Sequence, residues 1–319
     1  MRTLKINLFY KCTAVCAHCR FSCTMEQEAV PDYETPYAAA KQLKENFGLD
    51  RAVVLGGEPS IFAAQTQELL HRLSVLGVGT RLETNACWAA SPEAAEAFLK
   101  PLQESRTRVM LSLDGFHTPY VPYENVVNAV RMCHALEIPF TLEIPYLDLK
   151  RKTHPIDLET RHLAARIQKQ IPFKIPVCEE NVIFISRAAY TFGSEFAAGR
   201  GLPAGPCVRV PWWGDSEINS TDLLILEPGG WLTKGCGIAI GNVLEQDLIA
   251  MLCAYDAEKH PIFSVLLREG PLGLARMAEK FGFRMQADYA DQCHLCHAAR
   301  QWLKSEFPSI LQPDAHYIN

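Results

Sequence analysis

The stretch KINLFYKCTAVCAHC, residues 5–19, decides how the rest of the chain is read. Its opening, residues 5–9, has the apolar character of a short strand. That strand runs straight into three cysteines spaced CxxxCxxC: Cys12, Cys16 and Cys19. Three thiolates on one loop can each grip one corner of a cubane iron–sulfur cluster. Three ligands for four irons leave one iron open to a substrate or cofactor. The alternative is zinc, which takes four protein ligands in structural sites. His18 serves as that fourth ligand only awkwardly, because it lies between two of the cysteines.

Outward from this stretch, strands and helices alternate. Apolar runs predict strands over 52–55, 80–84, 109–113, 140–144 and 182–185. Helical periodicity covers 33–47, 60–76, 124–136 and 158–170, with a further helix opened by Ser91 as N-cap and Pro92 at its first position. Such alternation argues for parallel βα units wound right-handedly, an α/β fold. Six units fit a partial (β/α)6 TIM barrel, whose chemistry sits at the C-terminal ends of its strands. A breaker-rich linker over 199–206 ends the pattern. The expected domains are therefore 1–200 and a smaller α+β unit over 201–319. The second contains a hairpin, 223–226 and 231–233, turning at Pro228-Gly229-Gly230, and helices over 244–255 and 272–281.

Composition narrows the function. The 319 residues are 48% hydrophobic with a net charge of −5, which gives no basic footprint for nucleic acid. No apolar run approaches the roughly 18 residues that span a bilayer. The N-terminus lacks the apolar core of a signal peptide, so the expected location is cytoplasmic. Twelve cysteines in a reducing compartment need a reason other than disulfides. Cys133 and Cys253 fall in helix-like stretches and are expected to pack as small buried hydrophobes.

The CxxxCxxC loop after a first strand, followed by Gly56-Gly57-Glu58-Pro59 at the end of the second, resembles the radical S-adenosylmethionine (SAM) superfamily. The resemblance implies a [4Fe–4S] cluster with an open iron site on Cys12, Cys16 and Cys19. It also implies that Gly56 to Pro59 hold the SAM amino group. His18 is then expected against the adenine, and Asn85, Ser112 and Asp114 toward the ribose and methionine. The last three are also ordinary turn residues at strand ends. In this family a reduced cluster cleaves SAM to a 5′-deoxyadenosyl radical, which removes a hydrogen atom from a substrate C–H bond. An electron donor such as flavodoxin or ferredoxin is implied too.

Cys207, Cys236, Cys293 and Cys296 form a second possible four-thiolate set, for which a zinc ribbon is the alternative. Their arrangement is similar to the SPASM/Twitch extensions of radical SAM enzymes, which implies one auxiliary [4Fe–4S] cluster. The overall pattern is similar to radical SAM peptide epimerases, including the landmarks over 85–88 and 111–117. Those enzymes carry a hydrogen-donating cysteine directly after the cluster cysteine, where this chain has Gly237. Cys23, Cys87 or Cys178 would have to donate instead, although each reads more readily as a packing thiol. Cys23 extends the first cluster motif, but a fourth thiolate would close the open iron.

The expected function is radical modification of a ribosomally synthesised peptide: oxidation, cross-linking or a related C–H change. The alternatives are a small-molecule dehydrogenase using the auxiliary cluster as electron acceptor, an epimerase with a relocated donor, or a non-catalytic electron carrier. A carrier has no need of a SAM-binding turn. Trp212, Trp213 and Arg187 are further candidates to border the pocket.

Overall fold

The computed structural model describes residues 2–210 and 216–317. They divide into two compact units. The first comprises Thr3–Cys16 and Cys23–Val182, and the second Ala17–Ser22 and Ile183–Asn319 together with Arg2. No helix is long and apolar enough to cross a membrane among the described residues.

The first unit alternates β1 (Arg2–Asn7), α1 (Glu34–Phe47), β2 (Leu49–Leu55), α2 (Ala63–Val75), β3 (Gly79–Thr84) and α3 (Pro92–Glu104). It continues through β4 (Arg108–Ser112), α4 (Tyr123–Ala135), β5 (Phe140–Tyr146), α5 (Pro155–Gln170) and β6 (Val177–Asn181). The strands lie side by side in chain order, and β2 through β6 pair in parallel. This is the α/β partial-barrel architecture that the alternation predicts. The run Ala52–Leu55 is buried on both faces, as a covered parallel strand must be. Helix α2 buries Leu69, Leu70 and Leu73 at i, i+1 and i+4, each worth about 1.5–3 kcal/mol of transfer free energy. Ser91 caps α3 by accepting from the Ala94 N–H at 3.2 Å.

One strand lies away from its predicted place. The buried apolar run Val182, Ile183, Phe184 and Ile185 is not a strand but leads into α6 (Ser186–Ala197), which the sequence reading had missed. The sixth strand is the preceding VCEEN, whose residues are mostly exposed. It ends the parallel series, so apolar patterning does not mark it.

The second unit holds α6, then short strands β7 (Arg209–Val210) and β8 (Ser216–Glu217). Next come β9 (Leu223–Leu226), β10 (Trp231–Thr233), β11 (Ala239–Asn242), α7 (Leu248–Ala254), α8 (Phe263–Glu279) and α9 (Gln292–Leu303). The predicted hairpin is β9–β10, and β11 extends it antiparallel. Its turn needs Gly229 at φ +78°. Helix α8 begins well before residue 272: Gly270-Pro271 kinks it rather than opening it, and Gly270 sits at φ +68°. Helix α9, which packs on α8, carries Cys293 and Cys296.

Candidate functional site

In the first unit, the turn after β2 is pressed against the backbone that leads into the first cysteine. The Gly57 N–H donates to the Phe9 carbonyl at 2.6 Å, and the Glu58 N–H to the Lys11 carbonyl at 2.9 Å. A Cβ on Gly57 would stand 1.8 Å from the Lys11 carbonyl oxygen, so this approach excludes every other residue. Pro59 then opens a single 3-10 turn, Pro59–Phe62.

Glu58 braces this turn to the end of β3. Its side chain is 1% exposed. One carboxylate oxygen accepts from the Ser60 N–H at 3.0 Å and the Thr84 hydroxyl at 2.8 Å, and the other from the Asn85 N–H at 2.8 Å. Burial pushes the carboxyl above its usual range, against the pull of these donors. Asn85 extends the brace to the cysteine loop: its Nδ2 donates to the Thr13 hydroxyl at 3.0 Å and lies 4.0 Å from Cys12 Sγ.

The loop is further held by the Cys12 N–H on the Thr24 carbonyl at 3.0 Å and the Tyr120 hydroxyl on the Val15 carbonyl at 2.9 Å. The Ala14 N–H donates to Cys12 Sγ at 3.4 Å. Cys12 and Cys16 are buried; Cys19 and His18 are half-buried in the segment that belongs to the second unit. A loop pinned by backbone bonds, with an N–H already aimed at sulfur, suits thiolates that hold a cluster.

Ser112 closes β4 half-buried, in register with Glu143 of β5. Asp114 is fully buried and spends its oxygens on its own turn, accepting from the N–H groups of Phe116 at 2.8 Å and His117 at 2.9 Å. Its second oxygen meets His117 Nδ1 at 2.7 Å. Burial lowers the His117 pKa, but the Asp114 carboxylate and the Cys16 sulfur outweigh it and hold the ring well above its usual value. His117 therefore touches a predicted cluster ligand, a role sequence reading missed. The signal lay in its position three residues after a turn aspartate.

In the second unit, Cys207, Cys236, Cys293 and Cys296 line one cavity of about 240 Å³, with Phe263 and Arg300 among its other walls. The fold brings them from three places. Cys207 is fixed by its N–H on the Leu266 carbonyl of α8 at 2.8 Å. Cys236 sits at φ +60° between two glycines, themselves left-handed, at the tip of the loop after β10. Cys293 and Cys296 stand one turn apart at the start of α9, where Asp291 caps the helix and the helix dipole favours thiolate.

Burial pushes the Cys207 thiol up to about 12, helped by the sulfurs of Cys296 and Cys236. Cys293 is likewise held well above the usual thiol range, by burial, Asp291 and the other three sulfurs. Such thiols ionise together only when metal binds them. Among the described residues, no three His, Cys, Asp or Glu side chains gather as ligands of a single ion. The four cysteines instead surround a cavity, and a cubane offers each thiolate a separate iron.

Gly237 has no room for a side chain. At φ +70°, a Cβ there would lie 2.8 Å from His316 Cβ and 3.0 Å from the Tyr317 hydroxyl. The turn that carries His316 and Tyr317 fills the space beside Gly237. Of the other cysteines, Cys23 and Cys133 are buried as expected, whereas Cys178 and Cys253 are exposed and do not pack as core thiols. Cys178 lies on β6, which has no buried position; Cys253 lies in the last turn of the short α7, which buries only Leu248 and Leu252. Cys87 is half-buried near Ser60 Oγ. Arg187 lies in the first turn of α6, and Trp212 and Trp213 lie outside the described residues.

Residues 6–149 match the Radical SAM superfamily. No curated protein matches the chain in sequence. Among solved structures, native anSMEcpe with bound AdoMet is 13% identical, with a TM-score of 0.54 over 97% of this chain and 98% of that one. Native anSMEcpe with bound AdoMet and the Cp18Cys peptide is also 13% identical, with a TM-score of 0.52 over 96% of each chain. At this identity the likeness is one of fold.

Proposed function

From the match of residues 6–149 to the Radical SAM superfamily, we propose that the chain oxidises a C–H position of a peptide, with a second cluster as electron acceptor. Cys12, Cys16 and Cys19 would hold the SAM-binding cluster. Cys207, Cys236, Cys293 and Cys296 would hold the auxiliary one. When bound, SAM and its cluster would supply a 5′-deoxyadenosyl radical for hydrogen-atom removal, and the four cysteines of the second unit would hold a centre able to take up an electron. The chain's own part is positional. Gly57 lets the SAM-binding turn approach the cysteine loop, Glu58 locks that turn to the end of β3, and Asn85 carries the lock to Thr13 and Cys12.

The observation that carries the oxidative reading is the closed set of four thiols around one cavity. Four protein ligands leave no open iron, which suits electron transfer better than substrate coordination. The peptide substrate is supported by the fold-level likeness to a protein solved with a bound peptide. Epimerisation by a thiol beside Cys236 is disfavoured, because Gly237 admits no side chain. The domain division near residue 200 belongs to this proposal: the barrel makes the radical and the C-terminal part takes the electron. The reductant would be a flavodoxin or ferredoxin, in the cytoplasm.

The test is anaerobic reconstitution, then incubation with SAM, a reductant and a peptide encoded beside the gene. The expected result is 5′-deoxyadenosine together with a peptide that has lost two hydrogens. A product of unchanged mass that carries solvent deuterium would support epimerisation instead. Oxidation of alcohols alone would support the small-molecule dehydrogenase.

A further inference from the structure

Among the described residues, Arg300 is the largest side chain buried completely, at 1% exposure. It lies one turn beyond Cys296 on α9, so the two share a helix face. Its Nε donates to Cys296 Sγ at 3.3 Å. A second nitrogen donates to the Tyr317 hydroxyl at 3.1 Å, and that hydroxyl donates onward to the carbonyl of Gly237, the neighbour of Cys236. Among the described residues, no carboxylate lies within ion-pair distance of this guanidinium. Its near neighbours of opposite sign are the sulfurs of Cys296 and Cys236 and the Tyr317 phenol.

A buried cation without a counter-anion is costly, and Arg keeps its charge in any protein environment. Four neutral thiols offer no compensation. Four thiolates around a cubane do, because such a centre carries net negative charge. The reduction potential of a cluster depends on its net charge, its exposure and the hydrogen bonds to its sulfurs. Arg300 supplies two of these levers at once: a positive charge beside the cavity and an N–H bond to a ligand sulfur. Reduction adds an electron to an anionic centre, so both levers favour the reduced state.

We propose that Arg300, anchored by Tyr317, is a positioning residue that raises the reduction potential of a cluster held by Cys207, Cys236, Cys293 and Cys296, and so makes it an electron acceptor. The inference rests on the reading that these four cysteines hold a cluster. It adds that this cluster is tuned toward taking electrons rather than serving as a structural clamp.

The experiment uses the full chain with Cys12, Cys16 and Cys19 changed to Ala, purified without oxygen, so that remaining iron belongs to the second site. Roughly four irons and four sulfides per chain are expected. A chain without iron overturns the underlying reading, and this inference with it. In the loaded protein, a redox titration followed by electron paramagnetic resonance reads the midpoint. Arg300→Gln is expected to lower the equilibrium constant for one-electron reduction at least tenfold, which is 59 mV. Arg300→Lys, which keeps the charge but not the fork, should restore part of it. An Arg300→Gln protein with full iron and an unchanged midpoint overturns the inference while leaving the cluster reading intact. If Arg300→Gln fails to load, Tyr317→Phe decides, since it removes only the anchoring hydroxyl. A lower midpoint supports the proposal, and an identical one overturns it.

Discussion

Two buried charges, one in each unit, are treated in opposite ways. Glu58 in the first unit has three donors from its own chain, on both oxygens. Arg300 in the second has a sulfur and a phenol. The first charge is satisfied by protein alone, so its turn is preorganised before any cofactor arrives. Among the described residues the second has only sulfurs and a phenol as neighbours of opposite sign, and in the proposed reading the thiols beside it balance it as thiolates. One site is built like a fixed socket, and the other is completed by what it binds. This difference matches the proposed roles: a turn that must present SAM in one geometry, and a cavity whose charge balance includes the metal.

The sharpest way to break this comparison is Gly57→Ala. The new methyl meets a backbone carbonyl that cannot swing aside, so the approach of the turn to the cysteine loop is lost. A destabilisation of more than about 4 kcal/mol is expected, the exceptional class of point mutation. Iron analysis should show the N-terminal cluster lost and the C-terminal one retained. Glu58→Ala is next. It strips the acceptor from the Ser60 and Asn85 N–H groups and the Thr84 hydroxyl. A loss of about 3 kcal/mol or more follows from leaving such donors buried and unpaired, read by chemical denaturation.

Gly237→Cys would place a thiol directly after Cys236, and should cost about 1–3 kcal/mol from its left-handed backbone, before the clash with His316. Thermal unfolding of the loaded protein reads this loss, and no deuterium should enter the product.

Lys234 gives the smallest effect and sharpens the contrast with Arg300. It too is a buried cation, 1% exposed, but carbonyls of Ser220 and Leu223 hold its ammonium. Burial brings its pKa down to about 8 from 10.5. Between those values the unfolded chain binds the proton more tightly, so stability rises with pH. Lys234→Met should flatten that rise in denaturation midpoints measured from pH 8 to 10.5.

How much of this was legible in the sequence depended on whether a feature is local. The cysteine loop, the Gly-Gly turn and the first five strand–helix pairs announce themselves by spacing and apolar period. The β9–β10 hairpin announces itself by its Pro-Gly-Gly turn. Strand β6 did not, because it ends the parallel series and carries Cys178, Glu179 and Glu180 where buried strands carry apolar residues. The apolar run after it belongs to the entry into α6, and so drew the prediction five residues downstream.

The bond from Glu58 to Asn85 joins positions 27 residues apart, and that from Arg300 to Tyr317 joins positions 17 apart. Neither has a periodic signature. Arg300 left one trace, its i+4 spacing from Cys296, which becomes meaningful only once α9 is known to be a helix. A sequence reading that stopped at the CxxC pair had no face on which to place it.

The direct measurement is iron and acid-labile sulfide per chain in protein purified without oxygen. Two cubanes, roughly eight of each, are expected. Four of each, with zinc making up the balance at the C-terminal cysteines, would contradict the account.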